Sequence, residues 1–217
     1  MNTLNLINKY KSLIEKSYEN AEKNISKINN DGMNIDGMNI DGMTGIKIHH
    51  FCNNILNTDD SRYLEICCWK PSSVYWAMYN NNAKILCIEN YNKSADAKNE
   101  FLNNLNKFKG NNEVIFIESN CFELDISKLS KFNIYMYVGI RTELAHYNAL
   151  FYYYNCLDDI FIYIVDNWYW QKVRDGTNKV IKDLNLKILY EKNIIKSNYI
   201  ATPDKWMYGI YIVLLQK

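Results

Sequence analysis

The 217 residues carry 25 Lys and Arg against 24 Asp and Glu, a net charge of +1, with 48% hydrophobic and 23% charged residues. That balance is ordinary for a globular protein and sets aside a dedicated nucleic-acid binder, which gathers positive charge on one face. No apolar stretch approaches the roughly 20 residues that span a bilayer, so no membrane partner is expected.

The start, "MNTLNLINKYKSLIEK", scatters lysines through the segment and has no apolar signal core. Six cysteines are present and none forms a C-x-x-C pair, which leaves a zinc site unsupported. Both features predict a cytoplasmic, reducing setting. Residues 3 to 29 place Leu6, Ile7, Tyr10, Leu13, Ile14, Ala21, Ile25 and Ile28 at spacings of three and four. This is one apolar face of a long amphipathic helix. Its own domain, a second copy of the chain or another protein would each cover that face, and the first is the simplest expectation.

"DGMNIDGMNIDGMTG" follows, residues 31 to 45, with D-G-M recurring every five residues. A period of five fits neither helix nor strand, and Asp-Gly steps favour turns. A duplicated linker is expected, because a calcium loop needs more acidic ligands and a terminal bidentate Glu. The chain thus divides into an N-terminal helix (1–30), a linker (31–45) and a main domain (46–217). "GMTGIKIHHFCNNIL" predicts a helix ending near Asn57.

From Arg62 the pattern becomes regular. Apolar runs at 62–68, 84–89, 113–118, 132–138, 159–166, 186–191 and 207–215 predict strands. Segments at 71–82, 94–108, 121–130, 142–156 and 169–183 have helical length. Alternation of this kind predicts an α/β fold, a doubly wound, mostly parallel seven-stranded sheet with helices on both faces. The last two runs are joined through Pro203 and Gly209 without a helix, so they are expected to form an antiparallel pair. Cys67, Cys68 and Cys87 fall in the strand-like runs, where a thiol packs as a small hydrophobe.

The stretch Glu65-Ile66-Cys67-Cys68-Trp69-Lys70-Pro71-Ser72-Ser73, the acid Glu89 ending the second strand, and "FIYIVDNWYW" at 161–170 occur in a telling order. The chain from about Gly42 onward resembles the class I S-adenosylmethionine-dependent methyltransferases, and within them small O-methyltransferase-like proteins whose first motif reads E-I-G-x-W-x-G-S-S. The resemblance implies a Rossmann-like methyltransferase fold and S-adenosylmethionine as cofactor. It implies that Glu65 faces the cofactor's amino group, that Cys67, Trp69, Ser72 and Ser73 belong to the loop and helix start beneath it, and that Glu89 meets the ribose hydroxyls. Asn120 and Cys121 match the adenine edge. Cys67 and Pro71 stand where the motif has glycine.

Metal-dependent relatives hold a divalent cation at the tips of the fourth and fifth strands. Asp166 and Asn167 match the fifth-strand pair, but the fourth-strand acid is replaced by Val138, with Ile140 and Arg141 close by. No tightly bound metal is therefore expected. Asp166 is the first candidate for a base that takes the acceptor's proton, and His146 the second, although a lone helix histidine is more often a packing residue. His49 and His50, in the segment before the first strand, are expected to be ordinary helix residues.

Trp168, Tyr169 and Trp170 either wall an acceptor pocket or begin the next helix. Two functions follow from the resemblance: methyl transfer to an oxygen of a small molecule or sugar, or an inactive methyltransferase fold kept as a binding or structural module. In the second case the N-terminal helix is a natural surface for a partner or for a homo-oligomer.

Overall fold

The computed structural model describes residues 2–31, 45–67, 72–91, 95–195 and 206–217, with residues 30, 31 and 72 described in their backbone only. Cys68, Trp69, Pro71, Pro203 and nearly all of the D-G-M segment lie outside the described residues.

Seven strands form one sheet: β1 (Arg62–Ile66), β2 (Lys84–Glu89), β3 (Glu113–Glu118), β4 (Phe132–Tyr137), β5 (Leu157–Asp166), β6 (Lys187–Ile194) and β7 (Ile210–Gln216). Their order is β3-β2-β1-β4-β5-β7-β6. The first five strands are parallel, whereas β7 is antiparallel to both of its neighbours. The expected final antiparallel pair is thus present, with β7 inserted between β5 and β6. The chain winds outward from β1 to β3, then returns to place β4 on the other side of β1. That reversal makes the carboxyl ends of β1 and β4 a topological switch point, the position where doubly wound sheets bind ligands.

Among the described residues six α-helices cover the sheet: α1 (Thr3–Glu22), α2 (Ile46–Ile55), α3 (Ser72–Met78), α4 (Ala95–Phe108), α5 (Glu143–Tyr153) and α6 (Gln171–Asp183). Strand side chains alternate between faces, and the core divides accordingly. On one face Tyr63, Cys87, Ile134, Met136, Ile162 and Ile164 pack against α1 to α4. On the other, Leu64, Ile66, Tyr135, Tyr137 and Val165 pack against α5 and α6.

The N-terminal helix is covered by its own chain. Asn2 caps it by accepting the Leu4 N–H at 3.0 Å, and Tyr10, Ile14 and Ala21 are buried. The helix stops at Asn24, whose φ is +53°. A 3-10 turn at Lys27–Asp31 then buries Ile28, so the helix is shorter than its apolar spacing suggests. Glu22 accepts from Trp206 Nε1 and pairs with Lys47 at 2.5 Å, tying α1 to α2 and to the approach to β7.

One expected helix is not formed. Residues 121–130 make turns with a single 3-10 turn at Ile126–Lys128. Asp125 accepts from the Ser127 backbone N–H at 3.1 Å and from the Ser127 hydroxyl at 2.6 Å. Such local bonds compete with the helical ladder. As a result β3 is thinly covered on that face, and Ile115 is 54% exposed.

Candidate active site

The strand sequence RYLEI aims Tyr63 and Glu65 at the α1–α4 face. Glu65 is fully buried. Its Oε2 accepts the Tyr63 hydroxyl at 2.5 Å and its Oε1 accepts the Ser73 hydroxyl at 2.6 Å. Burial raises its pKa to about 7; the two hydrogen bonds pull against that rise, while the charges of Asp166 and Glu89 add to it. An ionised carboxylate in such a place is costly unless partnered.

Asp166 ends β5 and pairs in register with Ile210, on the same face as Ile162 and Ile164. It too is buried, at 3% exposure. Asn167 follows in the left-handed conformation, φ +61°. It donates its backbone N–H to Oδ1 at 2.7 Å and its side-chain amide to Oδ2 at 3.1 Å. Burial lifts the Asp166 pKa to about 7, against the pull of the Asn167 N–H and the Arg141 charge. Cys52 on α2, one of the residues the sequence did not single out, lies near enough for both carboxylates to add to the burial that pushes its thiol up. The structure therefore gathers Glu65, Ser73 and Asp166 on one face, with Tyr63 and Cys52 beside them.

Cys67 adopts φ +63°, the conformation glycine takes readily and other residues take at a cost of about 1–2 kcal/mol. A thiol is thus carried on a backbone conformation that favours glycine. That thiol meets Cys121 Sγ at 3.8 Å and joins the cluster of the opposite sheet face. Glu89 sits at the tip of β2, where its carboxylate accepts the Asn90 N–H at 2.7 Å. Asn120 is exposed and engaged locally, accepting from Phe122 N–H and donating to Glu123 at 2.8 Å. Trp69 lies outside the described residues, as does the Ser72 side chain.

At the tip of β4, Val138 packs against the apolar cluster of the α1–α4 face. Gly139 leaves room for Tyr137, whose hydroxyl would lie 2.3 Å from any Cβ there. His146 stands edge-on to the Tyr137 ring, 4.8 Å between centroids. This puts His146 among the α5–α6 cluster, across the sheet from Glu65 and Asp166. It is 1% exposed, neither ring nitrogen has a hydrogen-bond partner, and burial lowers its pKa to about 4. As the second candidate base it stands apart, because the alternation of β4 side chains separates it from the acids.

A divalent cation does not fit these residues. Val138 brings no side-chain oxygen, so Asp166 and Asn167 lack the anionic fourth-strand partner such a cation would need. Among the described residues no group of three or more His, Cys, Asp or Glu side chains is placed to hold a metal ion.

The surrounding aromatics divide into two kinds. Trp168 is core: it stacks on Tyr211 at 4.2 Å and donates its indole N–H to Asn193 at 2.8 Å. Tyr169 and Trp170 are 41% and 39% exposed. The Arg141 guanidinium lies over Trp170 and Tyr208, 5.8 and 5.2 Å from the ring centroids. His49 and His50 are packing residues of α2. His49 tilts against Trp76, and His50 Nδ1 shares a 2.8 Å hydrogen bond with the Ser26 hydroxyl.

No protein-family model and no curated protein matches the chain. Solved structures do. The O-methyltransferase from Bacillus cereus, in complex with S-adenosylhomocysteine (SAH), has a TM-score of 0.60 at 10% identity over 95% of this chain and 91% of that one. The precorrin-6y C5,15-methyltransferase from Geobacter metallireducens gives 0.57 at 15% identity over 86% of this chain and 98% of that one. The SAH-bound methyltransferase PaMTH1 from Podospora anserina gives 0.54 at 12% identity over 93% and 86%. With the strand order above, these likenesses show that the chain has the Rossmann-like fold of the class I S-adenosylmethionine-dependent methyltransferases.

Proposed function

We propose that this protein binds S-adenosylmethionine at the carboxyl ends of β1 and β2 and passes its methyl group to an oxygen of a small molecule or sugar, without a tightly bound metal. The observation that carries the reading is the pair of buried acids, Glu65 and Asp166, at the carboxyl ends of β1 and β5 on one sheet face; burial lifts both to about 7. The comparison structures holding SAH on the same fold support the choice of cofactor.

When bound, the cofactor supplies a methyl group on a positively charged sulfur. The chain's own residues do the rest. Glu65, fixed by Tyr63 and Ser73, offers a carboxylate to an ammonium group, a pairing that recovers part of its desolvation cost. Glu89 accepts from ribose hydroxyls. Asp166 takes the acceptor's proton, and a pKa near neutrality suits a general base. Arg141, whose charge acts on Asp166, and the exposed faces of Tyr169 and Trp170 border the side from which an acceptor approaches. In this reading residues 46–217 form the catalytic domain, and α1 is an appendage packed onto it. No described helix is long and apolar enough to cross a membrane.

The test is transfer of tritiated methyl from S-adenosylmethionine to a panel of phenolic and sugar acceptors, with and without EDTA. The reading predicts labelled acceptor in both conditions. Binding of cofactor with no label on any acceptor supports the inactive-module alternative, and label that disappears with EDTA contradicts the metal-free route.

A further inference from the structure

We propose that Cys67 and Cys121 are a redox-active dithiol, a pair built to close into a disulfide across the end of the sheet. Their sulfurs lie 3.8 Å apart, and a disulfide needs about 2 Å. Each side chain has a single rotor, and both follow a strand end, Cys67 after β1 and Cys121 in the turns after β3. Since the order here is β3-β2-β1, the bridge would cross the tip of β2 beside Glu89, whose charge both thiols feel.

The other described cysteines are not placed this way. Cys52 faces the Met136 sulfur at 3.9 Å, Cys156 faces the Ile126 carbonyl at 3.5 Å, and Cys87 is sealed in the core. Cys67 is half-buried, which gives a small oxidant access to the pair. Either thiol can donate the hydrogen bond between them, so either can be the one that ionises.

With a peroxide as oxidant, one of the two sulfurs attacks a peroxide oxygen as its thiolate. An S–O bond forms, the O–O bond breaks, and hydroxide leaves to take up a proton. The other sulfur then attacks the resulting sulfenic acid, forming S–S and releasing water as the S–O bond breaks. Two thiols lose two electrons and two protons, and one hydrogen peroxide becomes two waters.

The bridge ties the end of β1 to the turns after β3, on the side assigned above to the cofactor's adenosine. It is therefore expected to weaken SAH binding by about tenfold. This coupling rests on the function proposed above; formation of the bridge does not.

Treatment of the folded protein with substoichiometric hydrogen peroxide should lower its intact mass by about 2 Da. Peptide mapping should recover a Cys67–Cys121 linkage. Cys67→Ser and Cys121→Ser should each abolish the loss, Cys68→Ser should keep it, and melting curves of the untreated variants should verify that they are folded. A bridge through Cys68, or sulfinic acid with no bridge, overturns the dithiol. SAH titration of oxidised and reduced wild type reads the coupling: equal affinities overturn it and leave the dithiol standing. Absence of SAH binding in the reduced protein instead counts against the proposed function.

Discussion

Ser73 donates its hydroxyl hydrogen to Oε1 of Glu65 at 2.6 Å, so the first turn of α3 holds the buried acid of β1 in place. Replacing Ser73 by Ala removes this buried donor from the Glu65 carboxylate. We expect a loss of about 1–3 kcal/mol in folding stability and weaker SAH binding, both measured by urea denaturation with and without ligand. Unchanged stability would show that Glu65 finds another donor.

Asp166 gives the stability curve a particular sign. Burial holds its folded pKa at about 7, against about 3.9 in an unfolded chain. Its proton is held more tightly in the folded state, so the stabilisation is full below about pH 4 and is lost as pH rises through about 7. Asp166→Asn removes this dependence. Between about pH 5 and pH 7.5 the variant should gain on the wild type by on the order of 2 kcal/mol, read by chemical denaturation of both proteins. A stability difference independent of pH contradicts the assignment.

The histidines act in the opposite direction. Burial depresses His49 to about 3, with the neighbouring His50 charge adding, and depresses His50 and His146 to about 4. Their stabilisation is present above the unfolded value of about 6.5 and is lost as pH falls toward 4. His146 also lacks hydrogen-bond partners for both ring nitrogens. His146→Phe should therefore keep or raise the melting temperature at neutral pH, and flatten the acid side of the stability curve. It should leave methyl transfer within about twofold, since the ring lies across the sheet from Asp166. A large drop in transfer with an unchanged melting temperature would return His146 to the reaction.

Much of the fold was legible in the residues because apolar runs of strand length alternate with helix-length segments from Arg62 onward. The strand at 84–89 is found as expected, and Glu89 closes it. The helix expected at 121–130 failed because apolar spacing does not register the Asp125 side chain competing for backbone donors. The site was legible in part. A carboxylate within the apolar run YLEI marked Glu65, and the strand end marked Asp166. Sequence spacing does not reveal which face a helix turns inward, so the burial of His146 against Tyr137 was hidden. Nor did the cysteine positions indicate that residues 67 and 121 would meet, since that contact arises from the order of β1, β2 and β3.

The α1 face offers a separate check. Ile14 is completely buried against the chain's own core, so Ile14→Ala should cost about 2–5 kcal/mol. A partner-binding helix whose apolar face were free would show little loss. Thermal denaturation of the variant at several protein concentrations separates the two, because self-association makes the midpoint concentration-dependent.

The most direct test is thermal stability titrated with SAH. At about 100 times its Kd the ligand should stabilise the folded state by about 2.7 kcal/mol, giving a saturable rise in Tm. Glu89→Ala and Glu65→Gln should blunt that rise while remaining folded. A flat Tm for wild type at millimolar SAH and S-adenosylmethionine contradicts the account and leaves the chain a methyltransferase fold without its cofactor.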